Sequence, residues 1–141
     1  SELCPIVEVG VRSLSYDERL FAKEKNLPIV YWPPSQSSLL TLTATILDSL
    51  SSKVYVSVDV DVFDPSLMSA VGTPEPGGMT WTETIELIKI ISTQRDIIGF
   101  DITELSPSQG PESCAFTAAK LAYKLMGYAT DCRNPTGPLI I

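Results

Sequence analysis

From position 54 the chain alternates valine with Tyr55, Ser57, Asp59 and Asp61, ending at Val62. A side-chain period of two belongs to an extended chain, so the pattern predicts a strand over 54–61 with Asp59 and Asp61 on one face. Apolar runs at 6–11, 27–32 and 96–103 predict three further strands. Between them lie helical signals. Ser15 followed by Glu18, and Thr80 followed by Glu83, have the spacing of capping boxes and open helices running to about 25 and about 92. Leu39 begins a Thr-rich helix to about Leu50, after a Ser/Gln-rich link at 35–38, and a last helix after Pro111 runs to about Met126 and stops at Gly127. The segment from Phe63 to Gly78 holds three prolines and three glycines and reads as a long loop, functional or disordered. The tail from Ala129 shows no clear element, with an apolar terminus at 139–141.

Strands and helices thus alternate four times, which implies a parallel sheet with helices on both faces. A sheet of four strands leaves open edges, so partner chains or further residues should cover at least one of them. No internal repeat is visible.

Composition narrows the function classes. At 141 residues the chain can bury roughly 70% of its unfolded surface as one domain. Its hydrophobic fraction of 44% and charged fraction of 19% are those of a globular protein. The net charge of −7 disfavours nucleic-acid or anionic-membrane partners and suits a cation or a cationic substrate. No apolar run approaches a membrane span, and no signal peptide opens the chain, so a cytoplasmic location is expected. Ser1 in place of Met suggests a processed or truncated start. Cys4, Cys114 and Cys132 are widely spaced and read as free thiols in a reducing compartment. Histidine is absent altogether, which excludes a self-contained imidazole site or triad in this chain.

The candidate chemistry lies at strand ends. Two Asp side chains crowded at a strand terminus are costly unless a cation or donors compensate them, and a hard divalent metal is the simplest cation for carboxylates. In open parallel sheets ligands bind beyond the carboxyl ends of the strands. Asp59, Asp61, Asp64, Glu104 and Arg12 should therefore converge on one side. Plainer roles compete with this. Asp64 precedes Pro65 and reads chiefly as a turn-former, and Asp101 could simply pair with a neighbour. Thr73 to Gly78 could be only a rigid turn, and Ser57 could satisfy a backbone group.

Three stretches taken together resemble the ureohydrolase family of arginases and agmatinases. They are Ser57-Val58-Asp59-Val60-Asp61-Val62-Phe63-Asp64-Pro65, Gly72-Thr73-Pro74-Glu75-Pro76-Gly77-Gly78, and Gly99-Phe100-Asp101-Ile102-Thr103-Glu104-Leu105-Ser106-Pro107. The run from Val7 to Ser15 is also similar to the stretch before the family's acidic strand, and the wording leans towards agmatinases. The resemblance implies a three-layer α/β/α sandwich with a mainly parallel sheet, residues 1–141 forming the C-terminal part of one ureohydrolase domain. It implies Mn²⁺, two ions per complete site, with Asp59 bridging both and Asp61 binding one. Glu104 would bind the substrate guanidinium and Thr73 would lie near the substrate. The implied reaction is attack of a metal-bridging hydroxide on a guanidino compound, agmatine foremost, giving urea and an amine.

The same resemblance places the family's remaining metal ligands, several of them histidines, in an N-terminal half absent from this sequence. Ser69 also stands where the family often has Pro. Activity is thus expected only when that half is supplied, with a homo-oligomer as the assembled form and the isolated chain inactive. A non-catalytic assembly module of ureohydrolase type is the alternative. A receiver-type phosphotransferase domain shares the strand-end acids but needs an acidic pair after the first strand and a late lysine that are not found.

Overall fold

The computed structural model describes residues 3–34 and 39–131. Its elements follow the expected alternation: β1 (Glu8–Val11), α1 (Tyr16–Glu24), β2 (Ile29–Tyr31), α2 (Leu39–Asp48), β3 (Lys53–Asp59), α3 (Trp81–Gln94), β4 (Asp96–Thr103) and α4 (Glu112–Asp131). Both capping boxes form. Ser15 accepts from the Glu18 amide while Glu18 accepts from the Ser15 amide, and Thr80 and Glu83 repeat the exchange at α3. Each box satisfies two amides that a helix start otherwise leaves without partners.

Three expectations need correction. The strand over 54–61 ends at Asp59, and residues 60–62 form a 3₁₀ turn. The cause is local: the Asp59 carboxylate accepts from the Asp61 amide at 3.0 Å, which offers the backbone a turn in place of a ladder. Asp59 and Asp61 therefore come together through a turn and not through strand alternation. Next, α4 does not stop at Gly127 but continues to Asp131. A Cβ at Gly127 would meet nothing within 4 Å, so neither a left-handed turn nor a close contact fixes glycine there. Finally, the four strands do not form one ladder. β1 pairs in parallel with β2, and β3 in parallel with β4, as two separate two-stranded sheets.

Within the β3–β4 ladder Val54, Val56 and Val58 face inward, with Ile97, Phe100 and Ile102 beside them. The helices supply Ile88 from α3 and Cys114, Ala118, Leu121 and Leu125 from α4 to the same core. A second cluster joins β2, α2 and α3 through Val30, Trp32, Ile46, Leu87 and Ile91. The opposite face of β3–β4 is open, with Tyr55 60% exposed. Helices thus cover one face of this ladder among the described residues. On the open face Tyr55 lies over its register partner Gly99, where a Cβ would stand 2.9 Å from Tyr55 Cε2.

The segment after β3 is ordered and packed. Phe63, Met68, Ala70 and Val71 are buried, and isolated bridges join Phe63 to Met79 and Val71 to Leu105. Cys4 is exposed and Cys114 buried. Cys132, the 35–38 link and the 139–141 terminus lie outside the described residues. No helix among the described residues is long and apolar enough to cross a membrane.

Candidate active site

Asp59, Asp61 and Glu104 lie near one another at the ends of β3 and β4, with Thr73 from the loop between β3 and α3 bonded to Asp61. Asp61 is held from two directions. Its amide is capped by Asp59, and its carboxylate accepts from Thr73 Oγ1 at 2.6 Å. Next to Thr73, a Cβ on Gly72 would stand 3.9 Å from Glu104 Oε2, so the Glu104 carboxylate lies against the same loop. Glu104 has φ +65°, a left-handed conformation that costs a non-glycine residue about 1–2 kcal/mol. Such local strain concentrates at functional positions.

The electrostatics follow from this proximity. Partial loss of solvent at the strand end raises the Asp59 carboxyl above its ordinary value. The negative charges of Asp61 and Glu104 push the same way, and the hydrogen bond from the Asp61 amide opposes them. An Asp59 carboxyl disfavoured as an anion, with two further carboxylates beside it, favours a cationic visitor. For a metal, the donor chemistry of Asp59 and Asp61 fits a hard divalent ion. The donor number does not close a site, since among the described residues no group of three or more His, Cys, Asp or Glu is placed to hold an ion.

Arg12, at the end of β1, has a role that spacing could not reveal. Its side chain is 8% exposed, and it donates from Nη1 to the Val62 carbonyl at 2.7 Å and from Nη2 to the Asp61 carbonyl at 2.5 Å. One guanidinium thus grips consecutive carbonyls of the turn that presents Asp61. Glu75 stands close by, accepting from Ser13 Oγ at 2.7 Å with Arg12 Nε 3.9 Å away. The Glu75 contacts were not foreseen either; the only sequence signal was the Thr-Pro-Glu-Pro wording itself. Gly78 seals the loop base, where a Cβ would fall 2.4 Å from the Phe63 carbonyl carbon and 2.5 Å from the Asp64 nitrogen.

Asp64, Asp101 and Ser57 take structural parts. Asp101 accepts from Tyr55 Oη at 2.9 Å and Ser57 Oγ at 2.7 Å, tying β3 to β4 on the open face. Asp64 accepts from Ser66 Oγ at 2.6 Å, from the Ser66 amide at 3.0 Å and from the Gly77 amide at 2.9 Å, as a turn-former does. These bonds, Ser66 foremost, hold its carboxyl below the ordinary carboxylate range. A depressed folded value gives stability that is present above the unfolded value, near about 4, and is lost as pH falls through the folded one. Asp64→Asn is therefore expected to be less stable at neutral pH and to show a shallower loss of stability on acidification. Thermal melts from pH 7 to pH 2 measure this; parallel acid limbs for parent and variant would refute the assignment.

The family model for the arginase family matches residues 2–127. An N(1)-aminopropylagmatine ureohydrolase of Synechocystis is 36% identical over 124 residues, covering 88% of this chain and 40% of that protein. An agmatinase of Pyrococcus horikoshii is 37% identical over 118 residues, covering 84% of this chain and 41% of that one. Among solved structures, the agmatine ureohydrolase of Thermoplasma volcanium superposes with a TM-score of 0.80 at 28% identity, over 94% of this chain and 44% of its own. The chain therefore spans about 40% of the length of the curated relatives it matches. By its sequence and by the arrangement of its strands and helices, it belongs to the arginase family.

Proposed function

We propose that this chain forms the substrate- and metal-facing part of a Mn²⁺-dependent ureohydrolase that cleaves a guanidino compound of the agmatine class to urea and an amine. The observation that carries this reading is the gathering of Asp59, Asp61, Thr73 and Glu104 at the carboxyl ends of two parallel strands. Asp59 and Asp61 would hold metal, completed by donors from the remaining N-terminal part of a family-length protein. Bound Mn²⁺ ions would supply an activated water and neutralise the crowded carboxylates. Thr73 fixes one Asp61 oxygen, which leaves the other to face a ligand. Glu104 offers a planar carboxylate to a planar guanidinium, a charge-assisted pairing that is two-pronged when aligned. The relatives named for agmatine and aminopropylagmatine support this substrate class.

The test is urea release from agmatine with Mn²⁺, using a chimaera in which this chain replaces its counterpart in the Synechocystis relative. Glu104→Gln is expected to raise KM at least tenfold, since the lost charge pairs with the substrate guanidinium, and to lower Mn²⁺ affinity far less than loss of Asp59 does, since Glu104 reaches that carboxyl only through space. A variant with unchanged KM, or a chimaera that binds Mn²⁺ without releasing urea from any linear guanidino compound, overturns the assignment. The non-catalytic assembly reading would gain from that last result.

A further inference from the structure

We infer that a bulge in β1 at Gly10, and the Arg12 side chain that it turns inward, set the position of Asp61. Arg12 is thereby a positioning residue for metal binding and touches neither the ion nor the substrate. The identity of the ion rests on the hydrolase reading, whereas the clamp on Asp61 rests on geometry alone.

β1 does not alternate to its end. Val7 and Val9 pack against the second core cluster, with Glu8 exposed between them. Unbroken alternation would turn Arg12 outward on the side of Glu8. The Glu8 amide donates to the Pro28 carbonyl and the Val11 carbonyl accepts from the Trp32 amide, so two residues three positions apart aim their main chains at β2. A regular strand repeats that aim at every second residue. The pairing with β2 shifts between Val9 and Val11, which makes Gly10 the extra residue of a bulge. Its φ of +89° is one that glycine adopts without steric cost. Past it the phase reverses, and Arg12 turns inward with its side chain buried.

The bulged end meets the turn at 60–62 twice. A Cβ on Gly10 would stand 2.3 Å from Val62 Cγ2, so the Val62 side chain occupies the space that the glycine leaves. Two residues on, the Arg12 guanidinium donates to the Val62 and Asp61 carbonyls. Glu75 Oε2 lies 3.9 Å from Nε, beyond hydrogen-bond reach, so the two carbonyls orient the fork and Glu75 only balances its charge. Gly78 makes room for the guanidinium, since a Cβ there would fall 2.6 Å from Nη1. The Val62 carbonyl also accepts from the Met79 amide at 2.8 Å, which ties the far end of the loop to the same point. The main chain of Asp61 is therefore fixed from β1 and its carboxylate from Thr73. A lysine would carry the same charge on a single nitrogen and lack the planar fork, which makes charge and position separable.

The test is Arg12→Lys, which keeps the charge and removes the fork, with Gly10→Ala as a second variant that keeps Arg12 and displaces Val62. The metal-free 141-residue chain is followed by hydrogen exchange at the Asp61 amide, bonded to the Asp59 carboxylate, and at the Met79 amide, bonded to the Val62 carbonyl. Both are expected to exchange at least tenfold faster in either variant, with the Val56 and Ile102 amides of the β3–β4 ladder changed less than about twofold. In the Synechocystis chimaera, calorimetric titration is expected to show Mn²⁺ affinity reduced at least tenfold, as for other groups that orient metal ligands, with KM for agmatine at saturating Mn²⁺ within about twofold. Parental exchange at both amides in a folded Arg12→Lys variant overturns the clamp, whatever the chimaera binds. Parental Mn²⁺ affinity in that variant overturns the positioning role. So does a KM raised more than about fivefold with Mn²⁺ saturating, since Arg12 would then contact substrate. A parent chimaera that binds Mn²⁺ and releases no urea counts against the hydrolase reading, and the exchange and Mn²⁺ readings still decide for or against Arg12.

Discussion

Phe63→Ala is expected to cost about 3–5 kcal/mol of folding stability, the range for removing a buried aromatic side chain. Phe63 is 1% exposed, with its ring stacked on Trp81 at a centroid distance of 6.4 Å and an interplanar angle of 23°. It joins the turn after β3 to the first residue of α3, so its loss opens a cavity between the acidic loop and the helix that supports it. Domains of this size are held by about 5–15 kcal/mol in total, and the variant would forfeit a large share of that margin. Denaturant unfolding of parent and variant gives the difference directly. A change below 1 kcal/mol would mean that this loop packs elsewhere than against Trp81.

Asp59→Ala in the chimaeric enzyme should lower Mn²⁺ affinity by more than about 100-fold and reduce urea release to background. Groups that merely orient metal ligands already cost about 10–100-fold when removed, so a direct donor should exceed that range. The metal-free variant should not be destabilised through charge at neutral pH, because the Asp59 carboxyl is raised, and a raised carboxyl weakens the fold once it ionises. Asp101→Asn provides the contrast. Its carboxylate engages Tyr55 and Ser57, its own register pair lying two steps before that of Asp59, and its replacement should leave Mn²⁺ affinity within about twofold. Calorimetric titration with Mn²⁺ separates the two. Equal losses would place the metal on the open sheet face and remove Asp59 from its assigned role.

Much of this architecture is legible in the residues. The two capping boxes mark the starts of α1 and α3, and β4 falls on its predicted span, because both signals are local. The end of β3 was not legible by periodicity: the Val/Asp alternation continues past the point where the Asp59 side chain captures the Asp61 amide. Gly127 misled for a similar reason, since a glycine inside an exposed helix and a glycine that ends one look alike without their surroundings. The division into two ladders could not be foreseen either, as it depends on which strands lie adjacent and not on whether strands form. At the site, Asp59, Asp61, Thr73 and Glu104 stood out as residues, but their contact rests on a loop whose closure is invisible in spacing.

The grip of Arg12 on the Asp61 and Val62 carbonyls spans 49 and 50 positions of sequence. Contacts of such separation form only after the intervening chain has been gathered, and loop closure makes them slow relative to a capped helix. Helices α1 and α3 carry their start signals within four residues, whereas the acidic turn waits for β1 to arrive. The presentation of Asp61 is therefore among the last features to mature as the chain folds. A partly folded chain would hold much of its helical structure before the turn that presents Asp61 takes its final form.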